Sequence, residues 1–251
     1  LKCWGWDGNG QLGDGGSNAN TNTPSSTAID LGSGRTAVAV SAGYSHTCAI
    51  LDNGDLKCWG YDNYGQLGDN GTNANTNAPS STAIDLGSGR TAVAVSAGYE
   101  HTCAILDNGD VKCWGRDYYG QLGDGGSNAN TNAPSSTAID LGTGRTAVGV
   151  SAGHYHTCAL LDNGDVKCWG SDNQGQLGDG GSVTNTNAPS TAIALGSGRS
   201  AVALSPSYSG HTCAILDDGS LKCWGLDNYG QLGRNGSSAP TNAPSSTAID
   251  L

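Results

Sequence analysis

The chain has 251 residues, of which 41 are glycine, and it contains no phenylalanine and no methionine. Its net charge of −11 argues against a nucleic-acid partner, because such binding needs clustered Lys and Arg side chains. The same charge disfavours an anionic membrane surface. No apolar run approaches the roughly 20 residues of a membrane-spanning helix. We therefore expect neither a nucleic-acid partner nor membrane insertion.

A 55-residue repeat organises the chain, as the spacing from Trp4 to Trp59 shows. In chain order, each unit reads AVAVSAG, HTCAILD, LKCWG, GQLGD, a Ser/Thr/Asn-rich loop and PSSTAIDL. AVAVS and TCAIL are short β-type runs bounded by Gly-bearing turns. Gly, Ser, Thr and Asn interrupt every window long enough for a helix. The repeat predicts an all-β fold of propeller-type, four-stranded blades.

The units form a single array over 1–251, with about four and a half copies. We place the boundaries at approximately 1–31 for a partial unit, then 32–86, 87–141, 142–195 and 196–251. Cys3 has no counterpart ten residues upstream, so we expect it to be unpaired or paired with a residue further upstream. The array is expected to be part of a longer one, either an incomplete or closed propeller or a segment of an open superhelix.

The segment HTCAILDNGDLKCWG, at 46–60, predicts a β-hairpin, because Asn-Gly between two apolar runs is a strong hairpin signal. A two-residue Asn-Gly turn would place Cys48 opposite Trp59. A three-residue Asp-Asn-Gly loop, with Gly54 left-handed in a bulge, would place Cys48 opposite Cys58. Directly opposed residues lie about 4.5–5.5 Å apart at Cα, which a disulfide can bridge, so we predict the bulged loop.

The hairpin recurs in the next three units, which predicts one disulfide per unit. The predicted bridges are Cys48–Cys58, Cys103–Cys113, Cys158–Cys168 and Cys213–Cys223. Reduced thiols are one alternative. Zinc is another, with His46, Cys48 and Cys58 as three ligands, although the spacing lacks tight cysteine pairs and a fourth ligand. Disulfides favour an oxidising compartment, so we expect the chain to be extracellular or at the cell surface.

The bulged register also assigns the two faces of the hairpin. One face carries His46, Cys48, Ile50, Leu56 and Cys58, and the other carries Thr47, Ala49, Leu51, Lys57 and Trp59. Both faces are largely apolar, so we expect neighbouring sheets to cover both of them.

The pattern H-T-C-A-x-L-D-[ND]-G-x-[VL]-K-C-W-G-x-D-x-x-G-Q-L-G resembles the repeats of the regulator of chromosome condensation, in a cysteine-bearing form met in secreted or surface proteins. The resemblance covers the whole chain. It implies blade-like sheets, since the founding members form seven-bladed propellers. The functions it implies include nucleotide exchange on a small GTPase, chromatin binding and inhibition of a β-lactamase. The first two suit an acidic, disulfide-bonded chain poorly.

Other motifs offer weaker candidates. His46, His101, His156 and His211 recur at one position per unit, which favours structural hydrogen bonding over a single tuned catalytic base. His154 departs from this pattern, at a position where two other units have tyrosine, and we expect an exposed variant there. The run from Asp62 to Asp69 resembles a calcium loop but lacks its alternating ligands, so a turn is favoured. We predict no catalytic residue, no cofactor and no metal ligand.

The Ser/Thr/Asn-rich loops are candidates for glycosylation. Two sequons place candidate N-glycosylation at Asn70 and Asn235. The candidate O-glycosylation sites are Thr21, Thr23, Ser25, Ser26, Thr76, Ser80, Ser81, Thr131, Ser135 and Ser136.

These features together predict a non-enzymatic, extracellular structural or adhesive repeat scaffold, which could form fibres and carry glycans. Its expected partners are copies of itself, neighbouring repeats, glycans or a surface protein. The alternative is a discrete secreted propeller that binds a protein or glycan. Near-identical units favour the first reading, because a specific site normally needs one unit that differs from the rest.

Overall fold

The computed structural model describes residues 1–181, 183–234 and 238–249. Within these residues the chain forms four antiparallel three-stranded sheets and no α-helix. The strands are β1 (Ala37–Ala42), β2 (His46–Leu51), β3 (Leu56–Gly60), β4 (Ala92–Ala97), β5 (His101–Leu106), β6 (Val111–Gly115), β7 (Ala147–Ala152), β8 (His156–Leu161), β9 (Val166–Gly170), β10 (Ala201–Pro206), β11 (His211–Leu216) and β12 (Leu221–Gly225). The described part of the chain offers no helix that is long and apolar enough to span a bilayer.

The hairpin between β2 and β3 has the predicted bulged register. Cys48 lies opposite Cys58, and the chain turns through a three-residue loop. The Leu51 amide donates to the Asp55 carbonyl at 2.8 Å, and Gly54 has a left-handed φ of 82°. The alternative prediction of a two-residue Asn-Gly turn is therefore wrong. The side chains alternate between the two faces of the hairpin as the bulged loop predicts.

Each sheet has three strands, where the sequence predicts four. After β3 the chain returns along the sheet edge but pairs with it at isolated points. Gly60 pairs with Thr76, and the Ile84 amide donates to the Leu56 carbonyl at 2.9 Å. Pro79, between these two points, has no amide to donate and helps to keep the segment irregular. The fourth strand is thus replaced by an irregular edge segment, as in an incomplete or open propeller of this repeat type.

Neighbouring sheets bury the second and third hairpins from both sides, and the first hairpin is covered on its other side by Ile29 and Leu31. The face of the first sheet that carries Cys48 and Ile50 packs against Leu106 and Trp114 of the second sheet. Equivalent clusters join the second sheet to the third and the third to the fourth. Both β2 and β3 are buried along their whole length, which confirms that the hairpin is covered on two faces.

The Gln-Leu-Gly loop of each unit contacts the tryptophan side chain of the next unit. The Gln66 carbonyl accepts hydrogen bonds from Trp114 Nε1 at 3.0 Å and from Thr102 Oγ1 at 2.8 Å. Gly68 lies against the same indole, and a Cβ there would come within 2.4 Å of Trp114 Nε1. The Trp and Gln-Leu-Gly landmarks of the sequence are therefore contacts between sheets.

A candidate partner-binding face

The predicted cysteine pairs are joined in the structure. Each pair forms a disulfide between opposed residues of one hairpin, with the two Cα atoms 4.1 Å apart. The bridged pairs are Cys48–Cys58, Cys103–Cys113, Cys158–Cys168 and Cys213–Cys223. Cys3 is half-buried and is a free thiol within the described residues.

The recurring histidines link adjacent sheets. His46 Nε2 lies 2.9 Å from Thr102 Oγ1. Because the Thr102 hydroxyl donates its one proton to the Gln66 carbonyl, Nε2 carries the proton of the His–Thr bond. Burial lowers the pKa of His46 to about 4 and those of His101 and His156 to about 3. These three imidazoles are neutral hydrogen-bonding groups at neutral pH.

The run from Asp62 to Asp69, which resembles a calcium loop in sequence, forms a turn. The side chain of Asp62 closes that turn. Asp62 Oδ1 accepts the Leu67 amide at 2.9 Å, and the side chain is fully buried. Burial raises the pKa of Asp62 to about 6 and that of the equivalent Asp117 to about 7. Among the described residues, no three His, Cys, Asp or Glu side chains converge as a metal site.

The glycosylation candidates differ in accessibility. Asn70 is exposed, whereas Asn235 lies outside the described residues. The hydroxyl oxygens of Thr21, Thr76 and Thr131 are buried, which makes these three poor acceptors for a sugar in the folded chain, and their glycosylation stays a prediction. The hydroxyls of Ser25, Ser80 and Ser135 lie within 3.2 Å of a neighbouring threonine hydroxyl. Exposed candidates remain at Thr23, Ser26, Ser81 and Ser136.

Tyrosines gather at one end of the sheets, where the sequence reasoning placed no site. All nine lie in two turns of the unit, one between the first and second strands and one directly after the third. The first turn carries Tyr44, Tyr99, Tyr155 and Tyr208, and the second carries Tyr61, Tyr64, Tyr118, Tyr119 and Tyr229. Antiparallel pairing brings both turns to the same end of each sheet.

We call the larger part of this cluster the aromatic face. It consists of Tyr44, Tyr61, Tyr64, Tyr99, Arg116, Tyr118, Tyr119, His154 and Tyr155. Backbone contacts hold its turns together, since the Tyr44 amide donates to the Gly98 carbonyl at 3.2 Å and the Tyr99 amide to the Gly153 carbonyl at 3.1 Å.

Ring contacts run across the face from the first sheet to the third. The Tyr99 ring centroid lies 4.3 Å from that of Tyr44 and 4.2 Å from that of His154. His154 in turn stacks on Tyr155 at 3.8 Å, and Tyr155 lies 4.8 Å from Tyr119. Aromatic pairs at these separations are mutually stabilising, so the rings form a preorganised surface.

Arg116 provides the positive charge of the aromatic face. Its guanidinium carbon lies 4.9 Å from the Tyr64 ring centroid and 5.1 Å from the Tyr155 ring centroid, in cation–π geometry. It also forms an ion pair with the buried Glu100 carboxylate. Burial, with a further contribution from Arg116, lowers the pKa of His154 and favours its neutral form. The face therefore combines polar-tipped rings with one fixed cation.

A groove of about 480 Å³ continues the face between the third and fourth sheets. Tyr119, Tyr155, Tyr208 and Gln174 line it. Tyr208 is anchored, because its hydroxyl donates to the Ala97 carbonyl at 3.2 Å, and burial raises its pKa to about 12. The same end of the protein thus offers both an exposed aromatic surface and a cleft.

The signal for this face was present in the sequence. Units are near copies of each other, yet the position of Arg116 holds Tyr61 in the preceding unit and Ser171 in the following one. The residue equivalent to Glu100 is Ser45 in the preceding unit and Tyr155 in the following one. Comparing the units position by position, rather than for their shared pattern, would have located the residues that differ.

Comparisons with known proteins agree with the repeat pattern. Ultraviolet-B receptor UVR8 of Arabidopsis thaliana is 30% identical over 233 residues, which cover 93% of this chain and 50% of the receptor. E3 ubiquitin-protein ligase HERC2 of Homo sapiens is 29% identical over 198 residues, 79% of this chain and 4% of the ligase. The chain spans half or less of the length of these two relatives.

Solved structures share the fold at low sequence identity. Human WBSCR16 superposes with a TM-score of 0.81 at 21% identity, covering 98% of this chain and 61% of the other. Yeast RCC1 (Prp20), in its structure bound to Kap60, gives a TM-score of 0.59 at 17% identity, covering 99% and 70%. A family model for the Regulator of chromosome condensation (RCC1) repeat matches residues 3–50, 53–105 and 108–160, and a second matches 37–66, 92–121, 147–176 and 207–231. The chain therefore belongs to the family of Regulator of chromosome condensation (RCC1) repeat proteins.

Proposed function

We propose that this protein is a non-enzymatic, extracellular adhesive scaffold that binds a protein partner through the aromatic face. The observation that carries the proposal is the confinement of all nine tyrosines to one end of the sheets, together with Arg116. Tyrosine and arginine are enriched at protein interfaces, because they combine large contact area with hydrogen-bonding tips.

Exposure of the face supports this role. The Tyr44 side chain is 59% exposed and that of Tyr118 is 67% exposed, although both belong to a contiguous ring cluster. Large exposed patches of this kind typically mark interaction sites. Among related folds, yeast RCC1 (Prp20) has been crystallised bound to the protein Kap60, which supports a protein as the partner class.

Compartment and modification belong to the same proposal. Four short-loop disulfides favour an oxidising setting, and the exposed loop residues Asn70, Thr23 and Ser26 favour glycan attachment there. Intact-mass measurement of the naturally produced protein tests both points. Reduced cysteines in the hairpins would contradict the extracellular location, and an unmodified mass would contradict glycosylation. Filaments in electron micrographs of the same material would support self-association into fibres.

Affinity capture from the fluid or surface fraction around the producing cells tests the binding face. We expect wild-type protein to retain a partner protein, and Tyr44→Ser/Tyr118→Ser to retain about tenfold less, because both rings are exposed and outside the core. Arg90→Ser is the control, since Arg90 forms an exposed ion pair with Asp107 beside the β5–β6 loop, at the opposite end of the sheet.

Equal capture by all three proteins would contradict the proposal. Loss of capture after enzymatic deglycosylation of the fraction would place a glycan, rather than a protein surface, on the aromatic face.

A further inference from the structure

Four of the five copies of the Gln-Leu-Gly turn contain a buried carboxylate oxygen that lacks a partner within the described residues. In the second copy, Asp62 Oδ1 accepts the Leu67 amide at 2.9 Å, but Oδ2 of the same fully buried side chain has no hydrogen-bond partner there. The same holds at the equivalent Asp7, Asp117 and Asp172. Because an unpartnered buried carboxylate oxygen is costly, its repetition points to a partner from outside the chain.

The fifth copy of the turn shows which kind of partner fits. Asp227 is fully buried, and its Oδ1 accepts the Leu232 amide at 2.9 Å, as in the other copies. Its Oδ2 accepts a hydrogen bond from the Arg234 guanidinium at 2.8 Å, and this guanidinium also donates to the Ala239 carbonyl. The buried oxygen therefore faces the side chain seven positions later, and a cation occupies that place.

The other four copies have a second aspartate at the position of this arginine. The residue seven positions after Asp62 is Asp69, which is exposed and whose Oδ1 accepts the Gly71 amide at 2.8 Å. Burial is the main cause of the raised pKa of Asp62, and the charge of Asp69 adds to it, so the two carboxylates lie near each other. A fixed cation is thus replaced by a second anion beside an unpartnered oxygen.

We propose that each of these aspartate pairs binds one calcium ion, which takes the place of the arginine. In the second copy, the ligands are Asp62 Oδ2, the Asp69 carboxylate and the carbonyl of Ala74, whose position is equivalent to that of Ala239. The four pairs are Asp7–Asp14, Asp62–Asp69, Asp117–Asp124 and Asp172–Asp179.

The chemistry of these ligands favours calcium. Two carboxylates match the charge of a divalent cation, and Ca²⁺ accepts carboxylates, backbone carbonyls and water in a flexible geometry. Mg²⁺ requires a near-octahedral arrangement, and Zn²⁺ prefers nitrogen and sulfur ligands. With two carboxylates per ion, we expect dissociation constants of about 10⁻⁴–10⁻³ M, as in other extracellular modules.

The ion would also strengthen the contact between units. Asp69 directly precedes Asn70, and the Asn70 amide donates to the Asn132 carbonyl of the next unit at 2.8 Å. A cation that fixes Asp69 therefore restrains the loop that makes this contact. In an array stabilised by nearest-neighbour interfaces, ion binding should raise the stability of the whole protein.

Calorimetric titration of the chelator-treated whole protein with CaCl₂ counts the sites. We expect about four ions per chain, and a thermal midpoint in millimolar CaCl₂ that is at least about 5 °C higher than in EDTA. MgCl₂ at the same concentration should raise the midpoint much less. Equal midpoints in CaCl₂ and EDTA, or in CaCl₂ and MgCl₂, would overturn the proposal.

Exchanging the residues at the arginine position locates the sites. Asp69→Arg copies the fifth turn, so it should bind one ion fewer while keeping the wild-type midpoint in EDTA. Arg234→Asp should bind one ion more, and its midpoint should fall in EDTA and recover in CaCl₂. Unchanged ion counts in both variants would contradict the assignment of the sites.

Asp85→Arg is the matched control. Asp85 is also exposed, and its Oδ1 accepts the Gly87 amide at 2.9 Å, but the residue seven positions earlier is Ala78. This variant changes the net charge as Asp69→Arg does and should keep all four ions. Loss of an ion here would show that net charge, rather than the aspartate pair, controls binding. The measurements need no partner protein, so their outcome is independent of the proposed function.

Discussion

Buried histidines and aspartates respond to pH in opposite directions. The pKa of His101 is lowered to about 3 from an unfolded value near 6.5, so between these values the unfolded chain binds the extra proton and stability rises with pH. The pKa of Asp117 is raised to about 7, so between about 4 and 7 the folded chain holds the extra proton and stability falls as pH rises. The two effects offset each other in mildly acidic solution.

Replacing one buried carboxyl with an amide shows how much that group contributes to the pH dependence of stability. Asp117→Asn keeps the acceptor oxygen for the Leu122 amide but cannot ionise. We expect its thermal midpoint, relative to wild type, to rise between pH 5 and pH 8, because the wild type must bury a charge as Asp117 ionises. Thermal unfolding followed by circular dichroism measures this difference. Asp85→Asn, at an exposed position, is the control, and a pH-independent difference for Asp117→Asn would contradict the argument.

At the scale of elements, one hairpin and one loop define the unit. The bulged loop sets the register, the register brings Cys48 opposite Cys58, and the Gln-Leu-Gly loop binds the tryptophan of the next sheet. The sequence identified the register because periodicity and disulfide geometry restrict it. It did not identify the tryptophan contact, since that contact joins residues 48 positions apart.

Alanine substitutions at two glycines measure how much the packing of the Gln-Leu-Gly loop against the tryptophan contributes to stability. Gly68 and Gly89 both have φ of 71°, but Gly68 lies against Trp114, whereas nothing lies within 4 Å of the Cβ position at Gly89. Alanine at either site adds left-handed strain of about 1–2 kcal/mol. Overpacking at Gly68→Ala should cost about 1–3 kcal/mol more. Denaturant unfolding of the two variants measures the difference, and equal losses would show that the indole moves aside without cost.

For the whole molecule, each sheet is stabilised mainly by its neighbours. β5, in the second sheet, is buried along its length, whereas β11 in the fourth sheet is partly exposed and Ile215 is 44% exposed. In a repeat array, stability is approximately a sum of unit and nearest-neighbour terms. The fourth sheet, which has one packed face within the described residues, is expected to open more often than the second.

Hydrogen exchange tests whether the fourth sheet opens more often than the second. β5 and β11 have the same sequence, HTCAIL, so their intrinsic exchange rates match and the flanking residues distinguish their peptides. We expect the β5 amides to exchange about tenfold more slowly than those of β11. Equal protection, measured by mass spectrometry, would mean that the described residues unfold as one cooperative unit.

The aromatic face shows the limit of pattern-based reasoning at this scale. Its residues come from three sheets, and a search for the shared motif passes over the positions that differ between units, such as Arg116 and Glu100. The sequence also predicted a fourth strand after β3, where the structure has an irregular edge segment. The few backbone hydrogen bonds of this segment depend on where the neighbouring strand ends. Both features depend on contacts between distant parts of the chain.

By itself, the sequence determined the repeat length, the β-class of the unit, the hairpin register and the cysteine pairs, because these follow from local turn chemistry and alternation along a strand. The tertiary structure alone decided which residues meet across sheets. It made Tyr44, Tyr99 and Tyr155 one surface. The physical reason is that packing of one sheet on the next selects these contacts, and local backbone preferences do not.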